Sequence, residues 1–281
     1  MRFTKLQGLG NDFVLLDGRG NERDWAQLAV AMCRQHFGVG SDGLLVLQTS
    51  EKADFLMRMF NPDGTESEAC GNGLRCFVRY LADNVVKDDT KELKIETLAG
   101  VRQTKLIEDS ALIQVAMGQP EFSLSAIPVA ADAGCGKTFD IMTGDWPLDV
   151  HGRRLMLNFV SMGNPHAVYF TDEPVGNFPL EDVGLIVATH PLFPKGANFE
   201  VARALDSHKI EVRVWERGAG ETLACGSGAC AVAVAAQLRG LCADNVEILL
   251  PGGSACVEWS KGKDVLLTGP AEVVFSGEWP E

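Results

Sequence analysis

The sequence predicts an α+β protein built from two similar halves, and three observations support this fold class. A Cys-Gly-x-Gly motif occurs twice, at Cys70 and at Cys225. The residues around the two copies align at a constant offset of 155 positions, without a gap. A helical pattern follows each copy, and strand-like runs surround both helices. Self-similarity over such a length indicates an internal duplication.

The repeat extends well beyond the motif. The aligned segments are 57–60 with 212–215, Glu66 with Glu221, and Gly10-Asn11 with Gly163-Asn164, the last pair at an offset of 153. Two pseudo-symmetric halves that face each other would present equivalent groups to opposite sides of one bound molecule. Such an arrangement suits inversion of a stereocentre, because one group removes a proton from one face while the other returns a proton to the opposite face.

The N-terminal residues predict two strands and then a helix. Alternation at Phe3, Lys5 and Gln7, followed by an apolar run over 13–16, indicates two strands around a glycine turn. Helical spacing then appears at Trp25, Leu28, Ala29 and Met32. Asn21 or Asp24 is the predicted N-cap of this helix, and Gly38 is its predicted stop.

A central helix is predicted directly after each motif cysteine. The first shows helical spacing at Leu74, Phe77, Val78 and Leu81. The second, over 229–238, is apolar nearly all round, as expected of a helix buried on every side. Strands are predicted over 93–96, 111–116, 209–215, 246–250 and 265–267. The segment 120–152 is rich in Gly, Pro and Asp, so we interpret it as a linker and a loop-bearing entry to the second half.

Composition restricts the class of function. With 281 residues and 46% apolar content, the chain can form two domains with cores. The net charge of -13 argues against nucleic acid as a partner. The longest apolar run, 229–236, is too short to cross a bilayer, and the N-terminus shows no signal pattern. These features predict a cytoplasmic protein without a membrane or nucleic-acid partner.

Eight cysteines without any Cys-x-x-Cys pair predict free thiols in a reducing compartment and no metal site. A lone buried cysteine is usually a small core residue. Recurrence in matched glycine frames favours a catalytic role for Cys70 and Cys225 instead. We interpret the others as structural: Cys33, Cys76, Cys135, Cys230, Cys242 and Cys256.

Cys70 and Cys225 are both predicted to lie at the start of a helix, where the local electrostatic potential is positive. Unpaired N–H groups and the helix dipole favour a thiolate there, so the sequence predicts a lowered pKa. The backbone N–H groups of Gly71, Asn72, Gly226 and Ser227 can form an anion nest around a carboxylate. Such donors would stabilise the charge that develops when an α-proton leaves an amino acid.

Almost end to end, the sequence resembles the diaminopimelate epimerase family. The motifs that carry the resemblance are Gly10-Asn11-Asp12-Phe13, Gly38-Val39-Gly40-Ser41-Asp42-Gly43, Asn61-Pro62-Asp63-Gly64-Thr65, Cys70-Gly71-Asn72-Gly73-Leu74-Arg75, Gly163-Asn164-Pro165-His166, Glu216-Arg217-Gly218-Ala219-Gly220-Glu221-Thr222 and Cys225-Gly226-Ser227-Gly228. These enzymes interconvert LL- and meso-diaminopimelate for lysine and peptidoglycan biosynthesis, without a cofactor.

The resemblance implies two pseudo-symmetric domains, each a curved sheet wrapped around a central helix, with the active site in the cleft between them. The implied halves are 1–118, joined by the C-terminal strand 271–281, and 119–270. Cys70 and Cys225 would be the catalytic acid and base, and His166 and Glu216 would lie near the reacting centre. A homodimer is common in the family, although no interface signature is visible in the sequence.

Substrate binding is also implied residue by residue. Gly71-Asn72 and Gly226-Ser227 would hold the α-carboxylate, and the distal end of the substrate would be held by Asn11, Asn61, Asn164, Asn198 and Arg217. Two positions depart from the usual pattern: Gly43 replaces a glutamine of some members, and Asn198-Phe199-Glu200 replaces the usual Asn-Val-Glu. Two alternatives stay open: a proline or hydroxyproline racemase, and a thiol-based metal or redox-sensing module.

Overall fold

A computed structural model describes residues 1–68, 70–87, 90–107, 111–130 and 145–280. They belong to two compact units, Met1–Ala116 with Thr268–Glu281, and Met117–Leu267. Ala69 of the first motif, Cys135 and the middle of the predicted linker lie outside the described residues.

The described residues of the first unit form two helices, and most of its strands come before residue 117. Its elements are β1 (Arg2–Gly8), β2 (Asn11–Asp17), α1 (Trp25–Cys33), β3 (Gly43–Gln48), β4 (Phe55–Phe60), β5 (Glu66–Ser67), α2 (Gly71–Asn84), β6 (Glu92–Thr97), β7 (Gly100–Leu106) and β8 (Leu112–Ala116). Pairing is antiparallel between β1 and β2, parallel between β2 and β3, and antiparallel between β3 and β4. Strand β4 also pairs with β5 and, in parallel, with β6.

The second unit repeats this order. Its elements are β9 (Trp146–Val150), β10 (Arg153–Ser161), β11 (Pro165–Phe170), a 3₁₀ turn (Val175–Asn177), α3 (Leu180–Ala188), β12 (Asn198–Asp206), β13 (Lys209–Glu216), β14 (Gly220–Thr222), α4 (Gly226–Leu238), β15 (Asn245–Leu250) and β16 (Gly253–Glu258). Strand β17 (Leu266–Pro270) leads back to the first unit, where β18 (Glu272–Glu278) pairs with β1.

Strand pairing in the second unit reproduces that of the first. The pairs β10–β11, β11–β12 and β12–β13 are antiparallel, parallel and antiparallel, and β13 pairs with β14 and, in parallel, with β15. One ion pair is also repeated: Arg58–Glu66 and Arg213–Glu221 both join at 2.7 Å, from the Nε of the arginine. The predicted duplicated α+β architecture is confirmed.

Each central helix packs against the strands of its own unit. Helix α2 contacts β1, β2, β3, β4, β8 and β18, and α4 contacts β10, β11, β12, β15 and β16. Leu74, Phe77 and Leu81 of α2 are at most 2% exposed. Helix α4 is buried almost all round, as its uniformly apolar sequence predicts. Burial of these helices fixes the position of the residue that precedes each one.

Two predictions about secondary structure need correction, and one helix was not predicted. Helix α1 is capped by the Asp24 side chain, as predicted, but it ends at Cys33, before Gly38, because Arg34 is extended. The predicted linker contains strand β9, which pairs with β10. Helix α3 was not predicted at all. It packs against β12 and β13, and a Cβ on its Gly184 would lie 2.6 Å from the Trp215 ring.

Candidate active site

Both motif cysteines occupy the N-cap position of a central helix. Cys70 precedes α2 and Cys225 precedes α4, both with extended backbones. The carbonyl oxygen of each accepts the first intrahelical hydrogen bond, from Leu74 and Ala229 respectively. The first backbone N–H groups of each helix lack intrahelical acceptors and so provide an anion-binding position.

The Cys70 cluster consists of Cys70, Asn11, Asn72 and Asp42. The Cys70 thiol donates to Asn11 Oδ1 over 3.6 Å, and Asn72 Nδ2 donates to the same oxygen over 3.3 Å. Asn11 Nδ2 donates to Asp42 Oδ2 over 2.6 Å. Since an ionised carboxylate only accepts, Asp42 fixes the Asn11 amide with its oxygen toward the thiol.

Asp42 is itself held by Asp12, which forms an ion pair with Lys5. Its carboxylate accepts the Asp12 N–H, and its own N–H donates to Asp12 Oδ1, both over 3.0 Å. Asp12 Oδ2 lies 2.8 Å from Lys5 Nζ, and Lys5 is 6% exposed. Asp42 and Lys5 were not among the predicted site residues. Pairing of β2 with β3 brings Asp42 beside Asn11, and no local pattern reveals that contact.

The β1–β2 turn places Asn11 at the start of its strand. Leu9 and Gly10 are its two central residues, and both have positive φ, 57° and 81°. This two-residue turn suits the twist of a hairpin, but it is unfavourable for a leucine. The conformation puts the Asn11 side chain beside the start of α2.

The Cys225 cluster consists of Cys225, Ser227, Asn164, His166 and Glu200. Cys225 Sγ lies 3.6 Å from Ser227 Oγ, which accepts from Asn164 Nδ2 over 3.3 Å. Asn164 Oδ1 lies 3.0 Å from His166 Nε2, and His166 Nδ1 lies 2.6 Å from Glu200 Oε1. The structure thus brings together four predicted site residues and one that was not predicted.

Glu200 is the residue of the Cys225 cluster that sequence reasoning missed. The side chains of Glu200 and His166 are both fully buried. The available signal was an acidic residue among the apolar neighbours Phe199, Val201 and Ala202 of β12. Burial raises the pKa of Glu200, although His166 opposes the shift. A fully buried carboxyl group in the same cluster as a candidate catalytic cysteine is a candidate functional group.

The expectation of a lowered thiol pKa is wrong for Cys225. Burial, followed by the charges of Glu216 and Glu200, raises the pKa of this thiol well above its ordinary value. Hydrogen bonds from Ser227 and from the Gly228 N–H oppose the shift. Desolvation and two carboxylates therefore outweigh the helix N-terminus.

The remaining predicted residues of the second unit lie on or near the ends of β12 and β13. Asn198 Oδ1 accepts the Arg217 N–H over 2.8 Å, and Asn198 is 5% exposed. The Arg217 guanidinium donates to the Lys195 carbonyl over 2.6 Å. Glu216 Oε1 accepts the Thr222 hydroxyl over 2.7 Å. These contacts hold Asn198 next to Arg217 and fix the Glu216 side chain.

Asn61 takes part in a turn after β4. Its Nδ2 donates to Thr65 Oγ1 over 2.9 Å, and its N–H donates to the Thr65 carbonyl over 2.8 Å. The turn therefore accounts for Asn61 structurally, and a ligand role for it stays a prediction.

Cys76 illustrates a structural cysteine in the same helix as the Cys70 motif. Burial raises the pKa of Cys76 to about 12. The unfolded chain releases this proton near pH 9, so the thiol's contribution to stability is complete below about pH 8.5 and is lost as pH rises toward the folded value. We expect the free energy of unfolding to fall more steeply between about pH 8 and pH 10 in the native protein than in Cys76→Ala. Urea unfolding at both pH values measures this, and equal slopes would contradict it.

The described ranges contain no group of three or more His, Cys, Asp and Glu side chains arranged to hold a metal ion. In the same part of the chain, no helix combines the length and apolarity needed to cross a bilayer.

Comparison with solved structures identifies the fold. A PhzF-family phenazine biosynthesis protein from Bacillus anthracis superposes with a TM-score of 0.72 at 17% identity, over 100% of this chain and 99% of the other. A hydroxyproline epimerase from Agrobacterium vitis gives a TM-score of 0.70 at 14% identity, over 99% and 91%. The architecture is therefore that of the PhzF and proline racemase-like proteins, and likeness to the proline group is limited to the fold.

Comparison of sequences then identifies the family. The diaminopimelate epimerase family model matches residues 3–123 and 158–274. The diaminopimelate epimerase of Carboxydothermus hydrogenoformans is 44% identical over 99% of both chains. That of Pelotomaculum thermopropionicum is 45% identical over 100% of this chain and 99% of its own. The chain is an isomerase and belongs to the diaminopimelate epimerase family.

Proposed function

We propose that the chain converts LL-diaminopimelate to meso-diaminopimelate without a cofactor, with Cys70 and Cys225 as the acid–base pair. The observation that carries the proposal is the equivalence of the two cysteines. Each is the N-cap of the central helix of a duplicated unit, and each is connected by hydrogen bonds to an asparagine beside an equivalent strand, Asn11 or Asn164.

The chemistry requires a base on one face of the α-carbon and an acid on the other. One cysteine, as thiolate, takes the α-proton, and the thiol of the other gives its proton to the opposite face. In the reverse direction the two roles exchange. The raised pKa of Cys225 supports this use, because a thiol that holds its proton at neutral pH is a suitable acid, and its thiolate is a stronger base once formed.

Proton removal drives negative charge into the substrate carboxylate. We propose that the N–H groups of Gly71-Asn72 and Gly226-Ser227 hold this carboxylate. Support comes from their position in the first turn of α2 and of α4, where backbone donors and the helix dipole favour an anion. Each such donor contributes a factor of about 10²–10³ to the rate in enzymes that stabilise an oxyanion.

The other polar residues are proposed to bind the amino groups and the second carboxylate. His166 and Glu216 act at the reacting centre, and the distal end is held by Asn61, Asn198 and Arg217. The contact of Asn198 with Arg217 supports their joint role, because it aligns a guanidinium that can bracket a carboxylate. The contacts of Asn11 and Asn164 favour a position beside the two thiols, nearer to the reacting end than the resemblance implies.

We also propose a cytoplasmic enzyme. Its cysteines support this location, since the described thiols Cys33, Cys76, Cys225, Cys242 and Cys256 form no disulfides. A homodimer, common in the family that the sequence resembles, remains part of the proposal and is tested by sedimentation equilibrium.

A substrate panel tests the proposed activity. The reduced protein, treated with a chelator, is incubated with LL-diaminopimelate, L-proline and trans-4-hydroxy-L-proline, and the products are separated by chiral chromatography. We expect meso-diaminopimelate from the first compound and no inversion of the other two. Inversion of proline without turnover of diaminopimelate would overturn the proposal and support the racemase alternative.

A further inference from the structure

We propose that Glu200 is a positioning residue, which fixes the direction of a hydrogen-bond chain ending on the Cys225 sulfur. The chain consists of Glu200, His166, Asn164, Ser227 and Cys225. The importance of this chain for catalysis rests on the proposed function. The effect of Glu200 on the Cys225 sulfur can be tested without any substrate.

The other unit shows that the fold itself does not require a polar pair at this place. In β2 and β3, Phe13 lies opposite Gly43, and in β11 and β12, His166 lies opposite Asn198. Two positions farther along each second strand stand Leu45 and Glu200. The equivalents of His166 and Glu200 in the first unit are therefore Phe13 and Leu45.

The surroundings of Gly73 and Gly228, the last glycine of each motif, give independent evidence on the residues beneath the first turn of each central helix. A Cβ on Gly73 would lie 3.4 Å from both Phe13 and Leu45. A Cβ on Gly228 would lie 2.9 Å from Glu200 Oε1 and 3.4 Å from Cys225 Sγ. The space beneath the first helical turn is thus apolar in one unit and ionisable in the other.

Placing a carboxyl group there costs stability. Neither His166 nor Glu200 has an exposed side-chain surface, and Glu200 Oε2 has no hydrogen-bond partner among the described residues. Burial of a polar group without full compensation is unfavourable, and an apolar pair fills the equivalent space in the first unit. Retention of the polar pair beside Cys225 therefore points to a role in that cluster.

The geometry defines the direction of the chain. His166 Nε2 must carry a proton, because Asn164 Oδ1 can only accept. The proton shared between Glu200 and His166 can lie on the Glu200 oxygen or on His166 Nδ1. In both cases His166 Nε2 is also protonated, so the pair carries two protons and has no net charge. Asn164 Nδ2 then donates to Ser227 Oγ, which leaves the Ser227 hydroxyl proton available to donate to Cys225 Sγ, and a bond in that direction favours the thiolate.

Two substitutions separate this role from packing. In Glu200→Gln the amide can still donate to His166 Nδ1, so Nε2 keeps its proton and the direction survives. In Glu200→Leu, which introduces the residue of the first unit, Nδ1 loses its partner, so nothing holds the neutral imidazole in the tautomer with its proton on Nε2. The proton can then lie on Nδ1, and a reversed Asn164 amide can donate to Nε2, so the direction of the chain is no longer fixed. When the imidazole is neutral, both variants have the same net charge at this place as the native pair. A difference in Cys225 reactivity between the two variants therefore does not come from net charge and reports on the direction of the hydrogen-bond chain.

Alkylation of the full chain by iodoacetamide, mapped to each cysteine by mass spectrometry, measures the effect. We expect Glu200→Leu to slow modification of Cys225 by about fivefold to tenfold, equivalent to one hydrogen bond, and to leave Cys70 unchanged. Glu200→Gln should stay within about twofold of the native protein. Leu45→Met, at the equivalent position of the first unit, serves as the packing control and should alter neither cysteine.

Equal slowing in the Gln and Leu variants, no slowing in either, or a parallel change at Cys70 would each overturn the inference. Circular dichroism verifies folding, and Glu200→Met, which has similar length and no strong hydrogen-bonding group, replaces the Leu variant if that variant does not fold. Failure of the native protein to epimerise diaminopimelate would refute the proposed function instead, since the alkylation pattern does not depend on turnover.

Discussion

Replacement of either motif cysteine is expected to abolish epimerisation while the fold survives. In the proposed mechanism, Cys70→Ala removes the proton-transfer group of one face, and Cys225→Ala removes that of the other. Because a positioned acid or base contributes about 10²–10⁴-fold, we expect kcat for LL-diaminopimelate to fall at least about 10²-fold in each variant. The loss should be similar from the meso side, since both directions use both groups.

Cys242→Ala is the matched control for these variants. Cys242 is half-buried in the second unit, with its sulfur 3.9 Å from the Ala233 carbonyl oxygen, and it lies outside both clusters. Its removal should leave kcat within about twofold, as for substitutions remote from a site. Full turnover in either motif variant would refute a two-cysteine mechanism, whatever the control shows.

Arg75→Met is expected to lower both stability and activity. Arg75 is fully buried in α2, where it donates to Asn72 Oδ1 over 2.7 Å and to the Pro270 carbonyl over 3.2 Å. Its removal leaves one buried and one partly buried acceptor without this donor, at a cost of about 2–4 kcal/mol in the free energy of unfolding. Asn72 also loses the contact that directs its Nδ2 toward Asn11, so kcat should fall as well.

Arg79→Met on the same helix provides the comparison. Arg79 pairs with Asp83 at i,i+4, and both side chains are 30% exposed. Such pairs contribute about 0.3–0.5 kcal/mol, so the control should hardly change the urea midpoint. Equal loss of stability in both variants would show that Arg75 acts only as a generic helix residue.

Local sequence signals were sufficient for the elements around the two cysteines. Apolar spacing after Cys70 and the continuous apolar run after Cys225 predicted α2 and α4, because a helix buried in a unit has to carry such a pattern. Helix α3 lacks a comparable signal. It has only nine residues, follows Pro179 and contains Gly184, which is required by close packing on Trp215.

Site residues that lie within the sequence motifs could be predicted. Site residues that meet only through the pairing of strands could not be predicted as well. Asp42 reaches Asn11 through the β2–β3 pairing, and Glu200 reaches His166 through the β11–β12 pairing. The direction of the Cys225 pKa shift was missed because its largest cause is burial of the thiol in the folded unit, which the local motif does not show, and Glu216 and Glu200 add to that shift. The predicted halves, 1–118 with 271–281 and 119–270, and the cleft between them stay predictions.

The most direct test of the two-base account follows hydrogen and stereochemistry together. The reduced, metal-free protein is incubated with LL-diaminopimelate in deuterated water, and early product is analysed for isomer and for deuterium at each α-carbon. The account predicts meso-diaminopimelate with solvent deuterium at the inverted centre, because the proton removed and the proton returned belong to different cysteines. Meso product that retains its original hydrogen at that centre would contradict it.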